Sequence, residues 1–283
     1  MSGASDSHKL ENKVCLIVGA SGVLGTAVAR LFNQQGGLLA LAGHARIANG
    51  LLGSPPGNDR ILPLQFNICD WNEVRHAIEQ IQSHFGALDV VVNCAGIQGP
   101  VGATQTVEPD TWKHTIDVNL FGCFHLARAA VPVMLGQGSG KIIYFSGGGA
   151  TSSRPFFSAY GASKAAVVRF TETLADELRS ANIQVNAIAP GPVLSRMWDE
   201  MRTAGAEGGP RAIEELRQMD LTGGVPPERA AGLALFLASN HSGNLTGRLI
   251  SAVHDKWEEM EPLIPKIMST QAGTLRRVPL NPD

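Results

Sequence analysis

Short apolar runs alternate along this chain with longer segments in which apolar residues recur every three or four positions. The short runs are typical of strands buried on both faces, and the longer segments are typical of amphipathic helices. Predicted strands cover residues 14–18, 38–42, 61–66, 88–93, 141–145, 183–188 and 248–253. Predicted helices cover residues 23–35, 71–85 with Asp70 as the N-cap, one or two helices within 109–135, then 159–179 and 227–238. Because alternating strands and helices pair in parallel through right-handed crossovers, the pattern predicts an α/β fold with one Rossmann-like, doubly wound parallel sheet in three α/β/α layers.

Two segments flank the predicted single domain of residues 12–253. Residues 1–11 begin with small and polar side chains and predict a disordered arm. Residues 254–283 form a C-terminal extension in which Trp257 and nearby aliphatic residues favour packing on the domain or on a neighbouring subunit, where it would help to close a pocket. A loosely ordered tail is the alternative. Within the domain, residues 194–220 are helix-prone but interrupted by glycine and proline, as in a lid over a site.

Composition narrows the class of protein. The chain has 283 residues, of which 44% are hydrophobic and 17% charged, enough apolar residues for a substantial core. A net charge of −2 without a basic block argues against a nucleic-acid partner, and no apolar run reaches the length of a membrane span. The N-terminus lacks the apolar stretch of a signal peptide, so we expect a cytoplasmic protein. Its four scattered cysteines predict free thiols and no metal site.

The first candidate for chemistry is the pair Tyr160 and Lys164 near the start of the predicted helix 159–179. Residues four apart lie on one helix face, so the lysine charge would favour the phenolate and make the tyrosine a usable acid or base near neutral pH. Such a pair also arises by chance on ordinary helices. It indicates catalysis only if a dinucleotide site precedes it in the chain.

Such a site is indicated by the glycine-rich stretch Gly19–Gly25, which follows the first strand and opens the first helix. Glycines permit a tight turn and the close approach of a pyrophosphate, and the helix N-terminus offers N–H donors. A plain glycine-rich turn is the alternative, but its place after the first strand favours dinucleotide binding.

Taken together, the glycine loop, Asn93–Gly96, Asn119, the Tyr160/Lys164 pair and Pro190–Gly191 resemble the short-chain dehydrogenases/reductases, single-domain branch, in order and spacing. The resemblance covers residues 12–252. It implies an NAD(P)-dependent oxidoreductase that interconverts a carbonyl and a secondary alcohol of a small molecule by hydride transfer. It also implies a homodimer or homotetramer built through paired long helices.

The resemblance implies roles for individual residues. Tyr160 would exchange a proton with the substrate oxygen, Lys164 would hold the nicotinamide ribose, and Asn119 would kink its helix and support a water in the proton relay. Pro190–Gly191 would wall the nicotinamide. The implied cofactor-binding set is Gly19, Ser21, Gly22, Val23, Leu24, Gly25, His44, Arg46, Asn67, Ile68, Asn93, Ala95, Gly96, Tyr160, Lys164, Pro190, Gly191 and Val193.

The chain departs from the family pattern at three places. Val23 stands where single-domain members usually have a second glycine, a spacing that resembles the extended branch with its epimerases and dehydratases. Gly147 stands where the family has its catalytic serine, so Ser146, one residue away, is the candidate, although strand alternation would turn it to the other face. Asn67 replaces the aspartate that meets the adenine amino group and can still accept through its amide oxygen. A catalytically weak dinucleotide-binding protein and an epimerase or dehydratase therefore remain as alternatives.

The nucleotide preference is set at the end of the second strand. NAD enzymes carry a carboxylate there for the ribose hydroxyls, but this chain has Gly43 followed by His44, Ala45 and Arg46. Arg46 could pair with a 2′-phosphate, or it could be a solvated loop residue. We expect NADP(H) to be preferred, with NAD(H) as the alternative.

The substrate pocket is expected from three segments: residues 98–101, residues 154–157 and the lid with Trp198. Arg154 indicates either an acidic or polar substrate or an ordinary surface arginine.

Overall fold

A computed structural model of the chain describes residues 8–44, 59–278 and 280. Within them, seven strands form one sheet in the order β3-β2-β1-β4-β5-β6-β7, and every neighbouring pair is parallel. The strands are β1 (Val14–Val18), β2 (Leu38–Gly43), β3 (Ile61–Gln65), β4 (Val90–Asn93), β5 (Gly140–Phe145), β6 (Ile183–Ala189) and β7 (Leu249–Ser251). The predicted doubly wound sheet is confirmed, and the strand order reverses between β1 and β4.

Helices cover both faces of this sheet. The α-helices of the described residues are α1 (Val23–Gln34), α2 (Trp71–Phe85), α3 (Pro109–Ile116), α4 (Gly122–Gln137), α5 (Ser158–Glu177), α6 (Arg196–Ala204), α7 (Gly209–Thr222), α8 (Pro227–Ala238) and α9 (Ile264–Met268). Along β1, Val14, Leu16 and Val18 face a core shared with α2, α4 and α5. Cys15 and Ile17 face the opposite core, shared with α1 and α8. Alternate residues of this central strand therefore pack into two different cores, because the side chains of a strand point in turn to the two faces of the sheet.

Element boundaries follow local hydrogen bonding. Asp70 is the N-cap of α2 as predicted, because its side chain accepts from the N–H groups of Asn72 and Glu73. The fourth strand starts at Val90 instead of residue 88. The main chain of Leu88 instead exchanges two hydrogen bonds with the side-chain amide of Gln137, at 2.8 and 3.0 Å.

Residues Pro109–Gln137 form one continuous helical run, in which the π-helical turn Asp117–Phe121 joins α3 to α4. By length and composition alone this run is apolar enough to cross a membrane, and 44% of its most apolar window is buried inside the protein. Leu126, Ala130 and Met134 of α4 pack into the core, as expected of a helix that lies on the sheet.

Residues 8–11 belong to the folded domain, so the predicted disordered arm is wrong for this part of it. Leu10 is fully buried in the core beside α1, and its N–H donates to the carbonyl oxygen of Gln35 at 3.0 Å. A single apolar residue in a polar stretch has no periodicity that could reveal this contact. The rest of the predicted arm lies outside the described residues.

The C-terminal extension packs on its own chain. Trp257 lies against Gly232 of α8, and Ile264 of α9 is 4% exposed in the core. Farther along, the carbonyl oxygen of Gly273 accepts from Leu249 N–H of the edge strand β7 at 2.7 Å. Closure of the pocket by this extension stays a prediction.

Glu172 of α5 anchors the end of the extension. Its carboxylate accepts from Leu275 N–H at 2.6 Å and pairs with Arg276 at 2.9 Å and Arg169 at 2.5 Å. Glu172 is buried, whereas Arg276 and Arg169 remain partly exposed, so only the carboxylate of this anchor is shielded from water.

Candidate active site

The glycine loop connects the carboxyl end of β1 to α1. Gly19 adopts a left-handed φ of 76°, and a Cβ there would lie 2.7 Å from the N atom of Ala95. A Cβ on Gly25 would lie 2.7 Å from the carbonyl carbon of Gly19. Both positions therefore require glycine, and they draw the loop, α1 and the end of β4 tightly together.

The N-terminus of α1 fits a dinucleotide pyrophosphate. Gly22, its N-cap, presents no side chain, and the first turn carries no acidic residue. Ser21, Gly22 and Val23 are exposed, and the N–H groups in the first turn of a helix have no intrahelical partner. The loop is thus a cradle for an anionic group at the carboxyl edge of the sheet, at the point where the strand order reverses.

The segment after β4 forms the wall beside this loop. The Asn93 side-chain oxygen accepts from Ala95 N–H at 3.1 Å, and Cys94 N–H donates to the Val18 carbonyl oxygen at 2.9 Å. A Cβ on Gly96 would lie 3.2 Å from both Asn119 Oδ1 and Lys164 Nζ. The structure therefore brings the predicted residues Asn93, Asn119 and Lys164 into one neighbourhood.

Tyr160 and Lys164 occupy the first turns of α5, where both are buried. Lys164 Nζ donates to the carbonyl oxygen of Phe145 at 2.9 Å and lies 5.6 Å from the centroid of the Tyr160 ring. The predicted i, i+4 neighbourhood is present.

The predicted lowering of the Tyr160 pKa by Lys164 stays a prediction, because the influences on this pKa in the structure are burial and Arg154. Burial raises the pKa of the Tyr160 hydroxyl above its ordinary value, and the charge of Arg154 opposes that rise. Burial also lowers the pKa of the Lys164 ammonium, which the nearby thiols of Cys123 and Cys94 partly counter. The physical reason is that both groups lose solvent, and desolvation disfavours their charged forms.

Asn119 lies at the centre of the π-helical turn between α3 and α4. Its side-chain oxygen accepts from Ile97 N–H at 2.9 Å, and its amide donates to the Ile97 carbonyl oxygen at 2.9 Å and to Ser163 Oγ at 3.0 Å. Ser163 Oγ in turn donates to the carbonyl oxygen of Tyr160 at 2.8 Å. Asn119 thus ties the segment after β4 to the first turn of α5, and the predicted helix distortion is present as a π turn.

The sequence left open which of the two residues after β5, Ser146 or Gly147, lies beside Tyr160. Ser146 is 3% exposed, and its hydroxyl donates to the main-chain oxygen of Lys164 at 3.3 Å. Gly147 is the residue that meets the catalytic candidate: a Cβ there would overlap the Tyr160 hydroxyl and lie 3.2 Å from its ring carbon Cζ. The proposed catalytic role of Ser146 therefore draws no support from this geometry and stays a prediction.

The turn after β6 forms another wall. Gly191 has a left-handed φ of 81°, and a Cβ there would lie 2.6 Å from the Val253 side chain, which explains glycine after Pro190. Val193 is buried, and its carbonyl oxygen accepts from the indole N–H of Trp198 at 2.9 Å. The turn and the start of the lid are thereby joined.

The predicted adenosine side is partly described. Asn67 Oδ1 accepts from Cys69 N–H at 3.0 Å, and Ile68 is buried in the core. His44 is exposed, and its main-chain oxygen accepts from the Gln65 amide at 3.2 Å. Arg46 lies outside the described residues.

The predicted lid consists of α6 and α7 joined by the tight turn Gly205–Gly208. Met201 and Ala212 from these helices are buried against Tyr160 and Phe157 in a small third core. The lid therefore packs over the tyrosine, which is 8% exposed. Its second helix ends at Thr222, two residues beyond the predicted limit.

Sequence reasoning missed two residues that organise this site. Ser163 bridges Asn119 to Tyr160, and Glu215 of α7 pairs with Arg154 at 2.6 Å. The position of Ser163 three residues after the tyrosine was a usable signal. No local pattern could have linked Glu215 to a residue 61 positions earlier.

Gln98, predicted in the pocket wall, is 3% exposed, and its Nε2 atom is buried without a hydrogen-bond partner among residues 8–44 and 59–278. It follows Ile97, which both donates to and accepts from Asn119. A buried amide donor without a partner is costly, which suits a position that meets a polar ligand.

A doubly wound parallel sheet, a glycine cradle at the switch point and a buried tyrosine and lysine at the adjoining edge define a dinucleotide-dependent oxidoreductase. Comparison with known proteins then gives the family. The family model described as short chain dehydrogenase matches residues 13–205. The chain belongs to this family and is an NAD(P)-dependent oxidoreductase of carbonyl and alcohol groups.

Individual relatives are similar over most of their length. The chain is 34% identical over 251 residues to the 3-oxoacyl-[acyl-carrier-protein] reductase FabG of Thermotoga maritima, covering 86% of this chain and 96% of that protein. It is 31% identical to nodulation protein G of Rhizobium meliloti, covering 86% and 96%. Among solved structures, levodione reductase matches with a TM-score of 0.76 at 25% identity over 86% of this chain and 96% of that one. NAD⁺-bound xylitol dehydrogenase matches with a TM-score of 0.75 at 25% identity, over 86% and 98%.

Proposed function

We propose that this enzyme reduces the carbonyl group of a small molecule, and reverses that reaction, with Tyr160 as the general acid and base. The observation that carries the proposal is the placement of Tyr160: it is buried under the lid, beside Lys164, at the sheet edge that holds the glycine cradle. The nicotinamide, when bound, supplies or accepts the hydride.

The residues of the chain perform the remaining tasks. The Tyr160 hydroxyl donates its proton to the substrate oxygen during reduction and takes a proton back during oxidation. Lys164 holds the ribose of the nicotinamide, and its ammonium faces the space beside Gly96 that a larger residue would fill. Asn119, through Ser163, fixes the first turn of α5 and so the direction of the tyrosine. The lid excludes water, which strengthens each of these interactions.

NADP(H) is the preferred cofactor in this proposal, with NAD(H) as the alternative. The support is that Gly43, the last residue of β2, and the exposed His44 offer no carboxylate to the ribose. A carboxylate there would repel a 2′-phosphate, whereas Arg46 would attract it. Titration calorimetry tests this preference. NADPH should bind more tightly than NADH, and Arg46→Ala should weaken the binding of NADPH but not that of NADH. Equal affinities for the two nucleotides would refute the preference.

The proposed setting is the cytoplasm, without a nucleic-acid or membrane partner, and the proposed assembly is a homodimer or homotetramer. The four free cysteines are consistent with a reducing compartment. The comparisons do not favour the two alternative functions, the epimerase or dehydratase and the catalytically weak binding protein.

The deciding experiment is Tyr160→Phe, which removes only the hydroxyl. With a panel of ketones and aldehydes, carbonyl reduction should fall by about 10²-fold or more while NADPH affinity stays nearly unchanged. The comparison variant Lys164→Met should lower both affinity and rate. Activity of Tyr160→Phe above roughly a tenth of the wild-type rate would rule out Tyr160 as the acid.

A further inference from the structure

Arg154 lies between the lid and the proposed acid, in a position that the reaction described above does not use. Its guanidinium carbon is 4.1 Å from the centroid of the Phe157 ring and 5.8 Å from that of Tyr160. Its side chain is only 11% exposed, and it pairs with Glu215 of the lid helix α7 at 2.6 Å. An arginine that is this enclosed is a built feature of the site and not a solvated surface residue.

Gly148 and Gly149, which follow β5, lie beside this side chain. A Cβ on Gly148 would lie 3.8 Å from the Arg154 guanidinium nitrogen Nη1. Gly149 has a left-handed φ of 96°, and a Cβ there would lie 2.9 Å from the Cα atom of Gly161. The loop can therefore run close against α5, with Arg154 folded over it toward the tyrosine.

We propose that Arg154 is a positioning residue of the reaction, which supplies the positive charge that favours the Tyr160 phenolate, and that Glu215 of the lid tempers this charge when the lid is closed. This charge would assist the tyrosine in a site where Gly147 supplies no hydroxyl to support the reacting oxygen.

Charges on every neighbouring element bear on this role. Lys164, on the same helix, lies 5.6 Å from the tyrosine ring and is unchanged in the test below. From α7, Glu215 faces Arg154, while Arg211 shares the carboxylate of Glu215 at 3.0 Å. The lid helix α6 contributes the sulfur of Met201, 3.8 Å from Arg154. The cluster of two arginines and one glutamate keeps a net positive charge, and the direct effect of Arg154 is to lower the pKa of Tyr160 against the effect of burial.

The proposal can be tested without a substrate because the chain has only two tyrosines, Tyr144 and Tyr160. Burial keeps the pKa of Tyr144 well above its ordinary value, so its signal stays separate. The protein is labelled with ¹³C at the tyrosine ring carbon that bears the hydroxyl, and Tyr144→Phe assigns the two resonances. The fraction of Tyr160 phenolate is then compared across variants at the highest pH at which all of them remain folded by circular dichroism.

Opposite shifts are expected from the two partners. Arg154→Met should move the Tyr160 titration to higher pH by about half a pH unit or more, because a cation near the phenolate is lost. Glu215→Gln, which keeps a hydrogen-bond acceptor for Arg154, should move it to lower pH. Arg154→Lys keeps the charge and should stay near the wild-type titration.

A purely structural role predicts a different outcome. It would change stability or turnover without moving the titration in opposite directions. The proposal is overturned if Arg154→Met leaves the titration in place, or if Arg154→Lys shifts it as far as Arg154→Met. A shift to higher pH in Glu215→Gln would overturn the part assigned to the lid. Because this titration measures no turnover, its result is independent of the proposed carbonyl reduction, whose failure would appear in the kinetics of Tyr160→Phe.

Discussion

At the scale of single residues, Gly147 decides how close the main chain can come to the proposed acid. A Cβ at this position would overlap the hydroxyl of Tyr160, which is buried and packed on the lid. A side chain here must therefore displace the tyrosine or the loop, and in a tightly packed site such shifts disturb alignment.

We accordingly predict that Gly147→Ala lowers turnover by about tenfold or more, with a smaller change in cofactor affinity. Steady-state kinetics and NADPH titration measure the two effects. The matched control is Gly148→Ala, since a Cβ at Gly148 would meet only the guanidinium of Arg154 at an ordinary contact distance. Equal losses in the two variants would show that glycine is needed here for loop flexibility and not for space beside Tyr160.

At the scale of elements, the start of β5 carries a lysine whose protonation is linked to folding. Lys141 Nζ donates to Ser242 Oγ at 2.7 Å, and burial, aided by the charge of Lys13, lowers the pKa of Lys141 from 10.5 to about 8. Between these two values the unfolded chain binds more protons than the folded one. The free energy of unfolding should therefore rise with pH from about 8 to 10.5, and the cost of burying the charge is fully present below pH 8.

The variant Lys141→Met should lack this rise in the free energy of unfolding with pH. At pH 7 it should be more stable than the loss of the Lys141 hydrogen bond alone would predict, because it has no charge to bury. The pH-linked difference is roughly 3 kcal/mol across the window. Urea unfolding at several pH values measures it, with the exposed Lys113→Met as the control. If Lys141→Met keeps the wild-type pH slope, another group is responsible.

The C-terminal extension is the second element that bears on stability. Ile264 is 4% exposed and sits in the core beside α8, whereas its neighbour Leu263 is 50% exposed. Ile264→Ala should therefore destabilise the protein by about 2–5 kcal/mol, and Leu263→Ala should cost much less. Chemical denaturation of the two variants is the measurement. Similar small effects in both would mean that the extension is not a stable part of this domain in solution.

At the scale of the whole molecule, an apolar surface on the helical run Pro109–Gln137 is left uncovered. Phe121, Phe124 and Leu135 on the helical run Pro109–Gln137 are 49%, 41% and 50% exposed, and their spacing places them on one side of the helix. Exposed aromatic residues of this kind mark association surfaces, and a second copy of the chain would bury them symmetrically.

We expect the wild-type protein to sediment as a dimer or a tetramer, and the double variant Phe121→Asp/Phe124→Asp to dissociate into monomers. Sedimentation velocity measures the mass of each. Leu221→Asp on the lid helix is the control, since Leu221 is even more exposed at 69% but lies elsewhere. A monomeric wild type, or an unchanged mass in the double variant, would contradict this assembly.

The sequence by itself determined the order of the elements and the location of the site. The β1 run Val14–Val18 and the helical spacing from Trp71 to Phe85 are local patterns, and backbone periodicity converts them directly into structure. The Asp70 cap is local in the same sense. The glycine loop could also be placed, because a turn between a strand and a helix restricts which residues fit there.

Only the tertiary structure decided which groups meet across long separations. The burial of Leu10, the pairing of Arg154 with Glu215 and the anchoring of Leu275 by Glu172 join residues that no period relates. The direction of the Tyr160 pKa was likewise beyond sequence reasoning. The spacing to Lys164 predicted a favourable charge, but loss of solvent around the tyrosine depends on the lid and the loop that cover it. This desolvation raises the pKa of Tyr160 more than the charge of Arg154 lowers it.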